Sequence, residues 1–467
     1  MMGVSMSVPL AFTLRGGTDT PRPMLIGLIA TVLAGSVLVA PSRRPDRELS
    51  IREALLTVVV VWVSVSLFGS LPFYFSPYFE NFTDALFEST SGFTTTGATI
   101  LADVEVLPQS LQFWRHFSQW LGGMGIIMLG IAILPLVGAG GRTLYNAQFA
   151  AELSEKLRPR VLATAHALWA VYLGFTAGQF IALRLAGMSS FDAICHTFTT
   201  LSTGGFSTRT ASVAYYRSLP IEIIIVVFMI AGSLNFAMLY RCCADRHPRA
   251  LWQDREVRFH LSVLALATAG IAFTLVRRLA YAPGAALREA LFQATSIGTT
   301  TGFATADYEQ WFPFAQIVLL ALMYFGGNTG STSGGFKSFR IVLLLQVIKR
   351  AMVHIANPRR VLPVKIGGAV IPDAALSSLL NLVILALGFN FVASLLLAAS
   401  GVDLVTSLST VPSCMFSVGP ALGAAGPAES YAGLPAFAKW VLTVTMLVGR
   451  MEFYTALVVL TPGFWRR

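Results

Sequence analysis

Charge is scarce in this sequence. Only 12 per cent of the 467 residues are Asp, Glu, Lys or Arg, about half the share usual in a soluble domain. Cysteine is scarcer still: Cys195, Cys242, Cys243 and Cys414 are the only four, and no two form a C-x-x-C pair. They read as buried thiols, not as a metal or redox motif. The six histidines make neither H-x-x-x-H nor H-E-x-x-H, so metal chemistry and hydrolysis have no visible residues. A membrane-embedded enzyme would need His, Asp, Glu and Ser gathered at one depth, and no such set is legible. The expectation is a non-enzyme without a prosthetic group. Residues 1–14 are apolar but short and no small-residue cleavage site follows them, so a signal peptide is not expected.

Apolar residues are abundant, at 55 per cent, and mean hydropathy is +0.68. Nine runs have the length and composition of membrane spans: about 24–41, 54–76, 113–137, 161–187, 219–241, 259–281, 313–334, 371–400 and 437–462. The net charge of +10 would suggest nucleic acid on a soluble protein. Here 22 of the 33 Lys and Arg fall in 42–53, 138–160, 241–258, 335–366 and the C-terminus. These short stretches are expected to be cytoplasmic, with no nucleic-acid partner. No Lys or Arg occurs in 53–114 or in 401–433, which are expected outside. Nine spans with a cytoplasmic C-terminus place residue 1 outside.

The outer connections repeat. Aligned on one glycine they read DALFESTSGFTTTGAT (84–99), DAICHTFTTLSTGGFS (192–207), EALFQATSIGTTTGFAT (289–305) and VTSLSTVPSCMFSVGPAL (405–422). The aligned glycines are Gly97, Gly204, Gly302 and Gly419, spaced 107, 98 and 117 residues apart. A period near one hundred is too long for a solenoid. It suits an all-α polytopic membrane protein of four tandem helix–pore-loop–helix repeats around a pseudo-fourfold pore, with one extra N-terminal helix. The expected units are 1–52 (N-terminal helix and linker), 53–140, 141–241, 242–355 and 356–467.

Non-helical backbone is tolerated at membrane depth only where protein buries it or water reaches it, so the four loops should converge on an axis. Each half-helix directs the negative end of its dipole inward. Each then presents a short polar string and a glycine whose dihedral freedom lets carbonyls turn toward the axis. A carbonyl ring can replace the hydration shell of a monovalent cation. The candidate ion-binding residues are Thr95, Thr96 and Gly97; Ser202, Thr203 and Gly204; Thr300, Thr301 and Gly302; and Ser417, Val418 and Gly419. The outer segments 72–112, 185–218, 278–312 and 401–433 hold 11 Asp and Glu against 4 Lys and Arg, a mouth that concentrates cations. The four strings differ, so selectivity among alkali cations should be loose.

The run GGNTGSTSGGFKSFR (326–340) resembles a phosphate loop, but Phe336 separates Gly335 from Lys337 and the run ends a membrane helix. A Walker A requires glycine beside lysine on a strand-to-helix turn, so nucleotide binding is not expected here. Gly326, Gly327, Asn328, Gly330, Ser331, Thr332, Gly334 and Gly335 should instead break the helix. The break begins roughly 18 Å below Phe314 at 1.5 Å per residue, beneath the carbonyl ring, where a bistable segment could gate the pore. Lys337 is expected near the inner surface, tied to a carboxylate or a docked partner. Arg450 interrupts WVLTVTMLVGRMEF at bilayer depth and should face the interior. Asn235 reads as an interhelical hydrogen-bonding residue.

These strings, with WLGGMGIIMLGIAILPLVGAGG (120–141), GGNTGSTSGGFK (326–337), LVGRMEF (447–453) and the terminal TPGFWRR, resemble the TrkH/TrkG potassium-uptake subunits of the Trk/Ktr/HKT superfamily from about residue 40 onward. The resemblance implies a homodimer in the inner (plasma) membrane, each subunit with its own pore. K⁺ would be the transported ion, held by the residues just before and at the four aligned glycines. It also implies that 326–337 is an intramembrane gating loop and that Arg450 lies near the pore. A cytosolic TrkA-type subunit would bring any nucleotide. Two departures stand out. Such chains usually open with a two-helix unit, whereas one full span precedes the first repeat here, so the start would be truncated or Met1 not the natural initiator. The fourth string reads FSVGPAL where related chains often carry asparagines. The competing expectation is a Na⁺- or H⁺-coupled secondary transporter. Inverted repeats and midplane ionisable residues would favour it, but these repeats share one orientation.

Overall fold

The computed structural model describes residues 2–13, 20–39, 50–132, 161–244, 249–360, 362–366 and 369–466. The basic stretch 138–160, residues 133–141 of the WLGG motif, 42–49 of the linker, 245–248 and Arg467 lie outside them. The described chain is helical, apart from a two-residue antiparallel pairing of Lys365–Ile366 with Ala369–Val370.

Three helices make each repeat: an outer helix, a half-helix and an inner helix. The outer helices are Ile51–Gly69, Val161–Leu185, Arg255–Leu279 and Asp373–Ala399. The half-helices are Phe82–Phe93, Ser190–Leu201, Pro283–Gly298 and Leu404–Met415. The inner helices are Gln109–Ala132, Leu219–Ser233, Pro313–Phe325 and Ala436–Arg450. The sequence sets several starts. Ser50 and Glu53 form a capping box on the first outer helix. Asn81, Ser189 and Asp403 cap three half-helices by accepting the N–H of Asp84, Asp192 and Thr406. The remaining half-helix starts at Pro283, whose missing N–H costs nothing in a first turn.

Each half-helix packs against its own outer and inner helices and against the inner helix of the preceding repeat; the first packs against the inner helix of the fourth. The bundle therefore closes on itself. Ion pairs reinforce the seams, the first of them buried and the second with an exposed arginine. Lys439 of the fourth inner helix bonds Asp84 of the first half-helix at 2.6 Å. Arg288 of the third half-helix pairs with Glu222 of the second inner helix at 2.6 Å. The outer helices keep apolar side chains exposed, among them Ile384, Phe391, Val392 and Leu395, as a surface solvated by lipid requires. Met2–Ser5 and Ser7–Thr13 lie on Arg22–Val39, and the latter also on the first inner helix.

Three of the nine apolar runs are not continuous helices: the break in 313–334 was expected from its glycines, while those in 219–241 and 437–462 correct the expectation. The run 219–241 bends by 109° between Ser233 and Phe236. The run 313–334 stops at Phe325. The run 437–462 breaks after Arg450 and resumes at Tyr454, with Glu452 and Phe453 at φ 59° and 53°. Each break falls at a glycine motif (GSLN, GGN, GRMEF), where the helix is least stable. Among the described residues four helices, with the bent pair as a fifth, have the length and composition to cross a bilayer. The stretch 335–366, expected as a loop, contains a helix at Ser338–Ala356.

Candidate functional site

The four half-helices end in one repeated backbone pattern. Thr94, Ser202, Thr299 and Phe416 donate to the carbonyl four residues back, at Thr90, Phe198, Thr295 and Pro412. The next residues, Thr95, Thr203, Thr300 and Ser417, donate three residues back to Gly92, Thr200, Ile297 and Cys414. Thr96, Gly204, Thr301 and Val418 donate five back, to Ser91, Thr199, Ser296 and Ser413. The dihedrals follow the same count. Thr95, Thr203, Thr300 and Ser417 have φ of 53°, 51°, 57° and 58°, and the glycines two residues later have φ of 84°, 76°, 87° and 99°. Those glycines are Gly97, Gly205, Gly302 and Gly419.

This corrects the register of the second string by one residue. Gly205, not Gly204, is equivalent to Gly97; the second triplet is Thr203, Gly204 and Gly205, and Ser202 falls at the helix end with Thr94 and Thr299. A φ of 76° together with a carbonyl oxygen 2.0 Å from where a Cβ would stand requires glycine at Gly205, and the Gly204–Gly205 pair hid which of the two meets the requirement.

The strands lean on one another in order. A methyl group on Gly97 would come within 2.2 Å of the Gly204 carbonyl oxygen; on Gly205, 2.0 Å from that of Thr301; on Gly302, 2.0 Å from that of Val418; on Gly419, 2.7 Å from that of Thr96. Each repeat thus places the glycine of one strand against the preceding carbonyl of the next, and the fourth returns to the first. Thr94 and Thr96 share a hydroxyl hydrogen bond at 2.7 Å, and Thr299 and Thr301 one at 2.8 Å. Behind the first strand Glu88 accepts from Arg115 at 2.5 Å and from the Ile100 N–H at 3.0 Å. Arg115 also reaches the Ser207 carbonyl at 3.1 Å, a buried brace between repeats one and two. On one side of the ring a cavity is lined by Gly97, Gly205, Gly302 and Gly419, with Arg209 and Glu429 on its wall. A second cavity is lined by Ser417, Lys337, Arg450 and Glu452.

The segment 326–337 sits directly beneath three half-helices. The Thr332 hydroxyl lies 2.9 Å from the Leu201 carbonyl oxygen and 3.0 Å from that of Gly232. Ser333 donates to the Thr299 carbonyl at 2.7 Å, and the Gly334 N–H to the Thr300 hydroxyl at 2.7 Å. A methyl group on Gly334 would stand 2.0 Å from the Phe416 carbonyl oxygen. Gly326, Gly330 and Gly335 turn the segment at φ of 68°, 74° and 76°. Arg450 donates to the Thr332 carbonyl at 3.1 Å, and its Nε and Nη2 have no hydrogen-bond partner among the described residues. Glu256 ties the segment to the helix that follows it, accepting from the N–H of Thr329 at 2.7 Å and of Phe339 at 3.1 Å.

The comparisons agree with this architecture. The family model for TrkH, a cation transport protein, matches residues 22–463. The chain belongs to the TrkH family. It is 37 per cent identical to the Trk system potassium uptake protein TrkH of Halomonas elongata, over 100 per cent of this chain and 97 per cent of that one. It is 39 per cent identical to the protein of the same name from Escherichia coli K12, over 92 and 90 per cent. The crystal structure of the potassium transporter TrkH from Vibrio parahaemolyticus superposes with a TM-score of 0.92 at 36 per cent identity, covering 99 per cent of this chain and 96 per cent of that one.

In this TrkH-family chain, eleven of the twelve residues singled out around the glycines lie in the ring strands; Ser202 is the one displaced. Gly326, Gly327, Asn328, Gly330, Ser331, Thr332, Gly334 and Gly335 form one turn-rich segment under the ring. Lys337, expected near the inner surface from its position in the run, is not near a surface. It is buried, at φ 59°, and its Nζ donates to the Ser333 carbonyl of its own segment. The two glycines between Phe325 and Asn328 turn the chain back upward instead of carrying it on as a helix. Asn235, expected to hydrogen-bond between helices, instead bonds locally: it caps Phe236–Ala244 by accepting the Ala237 N–H at 2.8 Å, and it packs against Gly330. Sequence reasoning missed Gly205, Glu256, Glu88 and Gln119. For Gly205 the doubled glycine was the available signal; the buried acids could be found only through their partners.

Proposed function

We propose that this chain is the potassium-translocating membrane subunit of a Trk-type uptake system. The observation that carries the reading is the closed ring, in which each glycine of Gly97, Gly205, Gly302 and Gly419 packs on the carbonyl of the next repeat. Such a ring fixes four oxygens at one level without side-chain rotamers, and a cation entering it exchanges water for carbonyls. Four half-helix C-termini, each equivalent to roughly half a negative charge, point toward the same region and lower the cost of dehydration. K⁺ is the cargo, held by Thr95, Thr96 and Gly97, Thr203, Gly204 and Gly205, Thr300, Thr301 and Gly302, and Ser417, Val418 and Gly419. The shared name of the Halomonas and Escherichia relatives supports potassium as the ion.

The segment 326–337 is the gate. Bonded to the half-helix ends through Thr332, Ser333 and Gly334, it lies across the exit with Lys337 and Arg450 beside it, two buried positive charges where a cation would leave. Withdrawal of the segment breaks the Arg450–Thr332 bond and removes Lys337 together with the obstruction. The distribution of Lys and Arg supports an inner-membrane location with a cytoplasmic C-terminus. The family resemblance supports a homodimer and a TrkA-type nucleotide-binding partner that moves the gate. The chain is a transporter and not an enzyme.

Flux from purified protein in liposomes, with K⁺ and Na⁺ gradients varied separately, tests the reading. K⁺ or Rb⁺ uptake exceeding Na⁺ uptake without a co-ion gradient is expected. Uptake that depends on an imposed Na⁺ or proton gradient would overturn it in favour of coupled transport.

A further inference from the structure

Gln119 lies in the first inner helix three residues ahead of Gly122. The residues three ahead of Gly232, Gly326 and Gly449 in the other inner helices are Met229, Met323 and Met446. All four side chains are fully buried. Gly122, Gly232 and Gly449 occupy one structural position, since each would bring a methyl group against the last carbonyl of its own half-helix: 1.9 Å from Phe93, 3.1 Å from Leu201 and 1.8 Å from Met415. Of the three repeats so aligned, the first therefore carries an amide where the second and fourth carry a thioether, and the third has Met323 at the same sequence spacing.

That amide grips the second ring strand at both ends. Its Nε2 donates to the Gly204 carbonyl at 2.6 Å, and its Oε1 accepts the Phe206 N–H at 3.1 Å. Gly204 in turn occupies the position of Thr96, Thr301 and Val418, and a methyl group on it would stand 2.4 Å from both Cδ and Oε1 of Gln119. The amide fills the space that a side chain fills in the other strands. It also replaces a bond: Thr94 with Thr96 and Thr299 with Thr301 pair their hydroxyls, whereas Gly204 offers Ser202 no hydroxyl. The two departures from fourfold pattern, glutamine for methionine and glycine for threonine or valine, meet at one contact.

We propose that Gln119 is a positioning residue that sets ion discrimination in the second quarter of the ring. The inference rests on the reading of the ring as a K⁺ filter. By bonding the carbonyl of Gly204 and the N–H of Phe206 together, Gln119 holds that carbonyl at a fixed distance from the axis. The oxygen then cannot follow a smaller ion inward, so the ring suits K⁺ over Na⁺. The same bond draws on the oxygen's lone pairs and keeps this quarter of the ring the weakest cation ligand, which speeds exit.

Three variants in liposomes test it: Gln119→Met, Gly204→Thr, and both together, with K⁺, Rb⁺ and Na⁺ flux measured in each. Gln119→Met should conduct K⁺ and lose about fivefold in K⁺ over Na⁺ preference, the effect of one net hydrogen bond. Gly204→Thr alone should fail to conduct, because its side chain meets the Gln119 amide. The double variant rebuilds the pattern of repeats one and three and should recover both K⁺ flux and preference to within about twofold of the wild type. Should Gln119→Met not fold, Gln119→Glu keeps the acceptor for Phe206, loses the donor to Gly204, and carries the same expectation. Wild-type preference in Gln119→Met with normal K⁺ flux would reduce Gln119 to packing. A double variant as inactive as Gly204→Thr would overturn the exchange of one pair for the other. Wild-type protein without K⁺-selective flux would instead overturn the filter reading, before any variant is compared.

Discussion

Gly419 closes the ring on Thr96: a single methyl group on the glycine would stand 2.7 Å from the threonine carbonyl oxygen. The other three seams are tighter, down to 2.0 Å. Ring geometry is therefore set by backbone against backbone, and its tolerance to any side chain at these glycines is small.

Gly302→Ser should degrade K⁺ preference about tenfold, the equivalent of roughly 1.4 kcal/mol. The serine Cβ meets the Val418 carbonyl and must also adopt a φ of 87°. Growth of a K⁺-uptake-deficient strain on limiting K⁺, read together with Rb⁺ and Na⁺ flux, measures the effect. Gly97→Ser should behave alike. Unchanged preference in both would remove these loops from the ion path.

Deleting several residues of 328–333 should raise basal flux severalfold and leave ion preference largely intact. The deletion removes Thr332 and Ser333, which tie the segment to Leu201 and Thr299, but no ring residue. Flux through folded protein in partner-free liposomes decides it: a value equal to wild type means the segment is no gate.

Lys439→Met should lower stability by about 3–5 kcal/mol, because it leaves Asp84 as a buried carboxylate without its cation. The pair spans the seam between the fourth inner helix and the first half-helix. Thermal melting in detergent checks the loss. A melting temperature unchanged from wild type would show that the seam does not depend on this charge.

Asp403→Ala should cost about 1 kcal/mol at neutral pH, the usual worth of an N-cap. Hydrogen bonds from the Thr406 side chain and N–H hold the Asp403 carboxyl below the ordinary aspartate range. The stabilisation is thus complete above the unfolded-state value near about 4 and is lost as pH falls through the lower folded-state value. Melting curves of wild type and variant should converge in acid. A gap that persists below about pH 2 would assign the effect to something other than the charge.

Much of this was legible in the sequence, for a definite reason. Four strings ending in Thr or Ser and glycine recur at one topological position, and recurrence survives errors in any single string. The one-residue slip at Gly204 came from a doubled glycine, which composition cannot resolve; the count of hydrogen bonds back from the helix end does. The break at Gly326–Asn328 was legible in its run of glycines, whereas those at Ser233–Phe236 and Gly449–Phe453 were hidden in hydropathy because the breaking residues are few and their flanks apolar. Lys337 was misplaced because distance along a run was taken as depth, and the chain turns back there. Gln119 carries no local mark, being a single glutamine in a helix. It stands out only when the inner helices are superposed on their glycines.

The seam between Asp84 and Lys439 joins residues 355 positions apart. The chain is made from one end to the other, so the first half-helix must wait in the membrane, its carboxylate unneutralised, until the last repeat has been inserted. Contacts of such long range are slow to form. The permeation path can therefore exist only in a chain synthesised almost to its end. A ribosome that stalls in the fourth repeat leaves three quarters of a ring, without the seam that closes it.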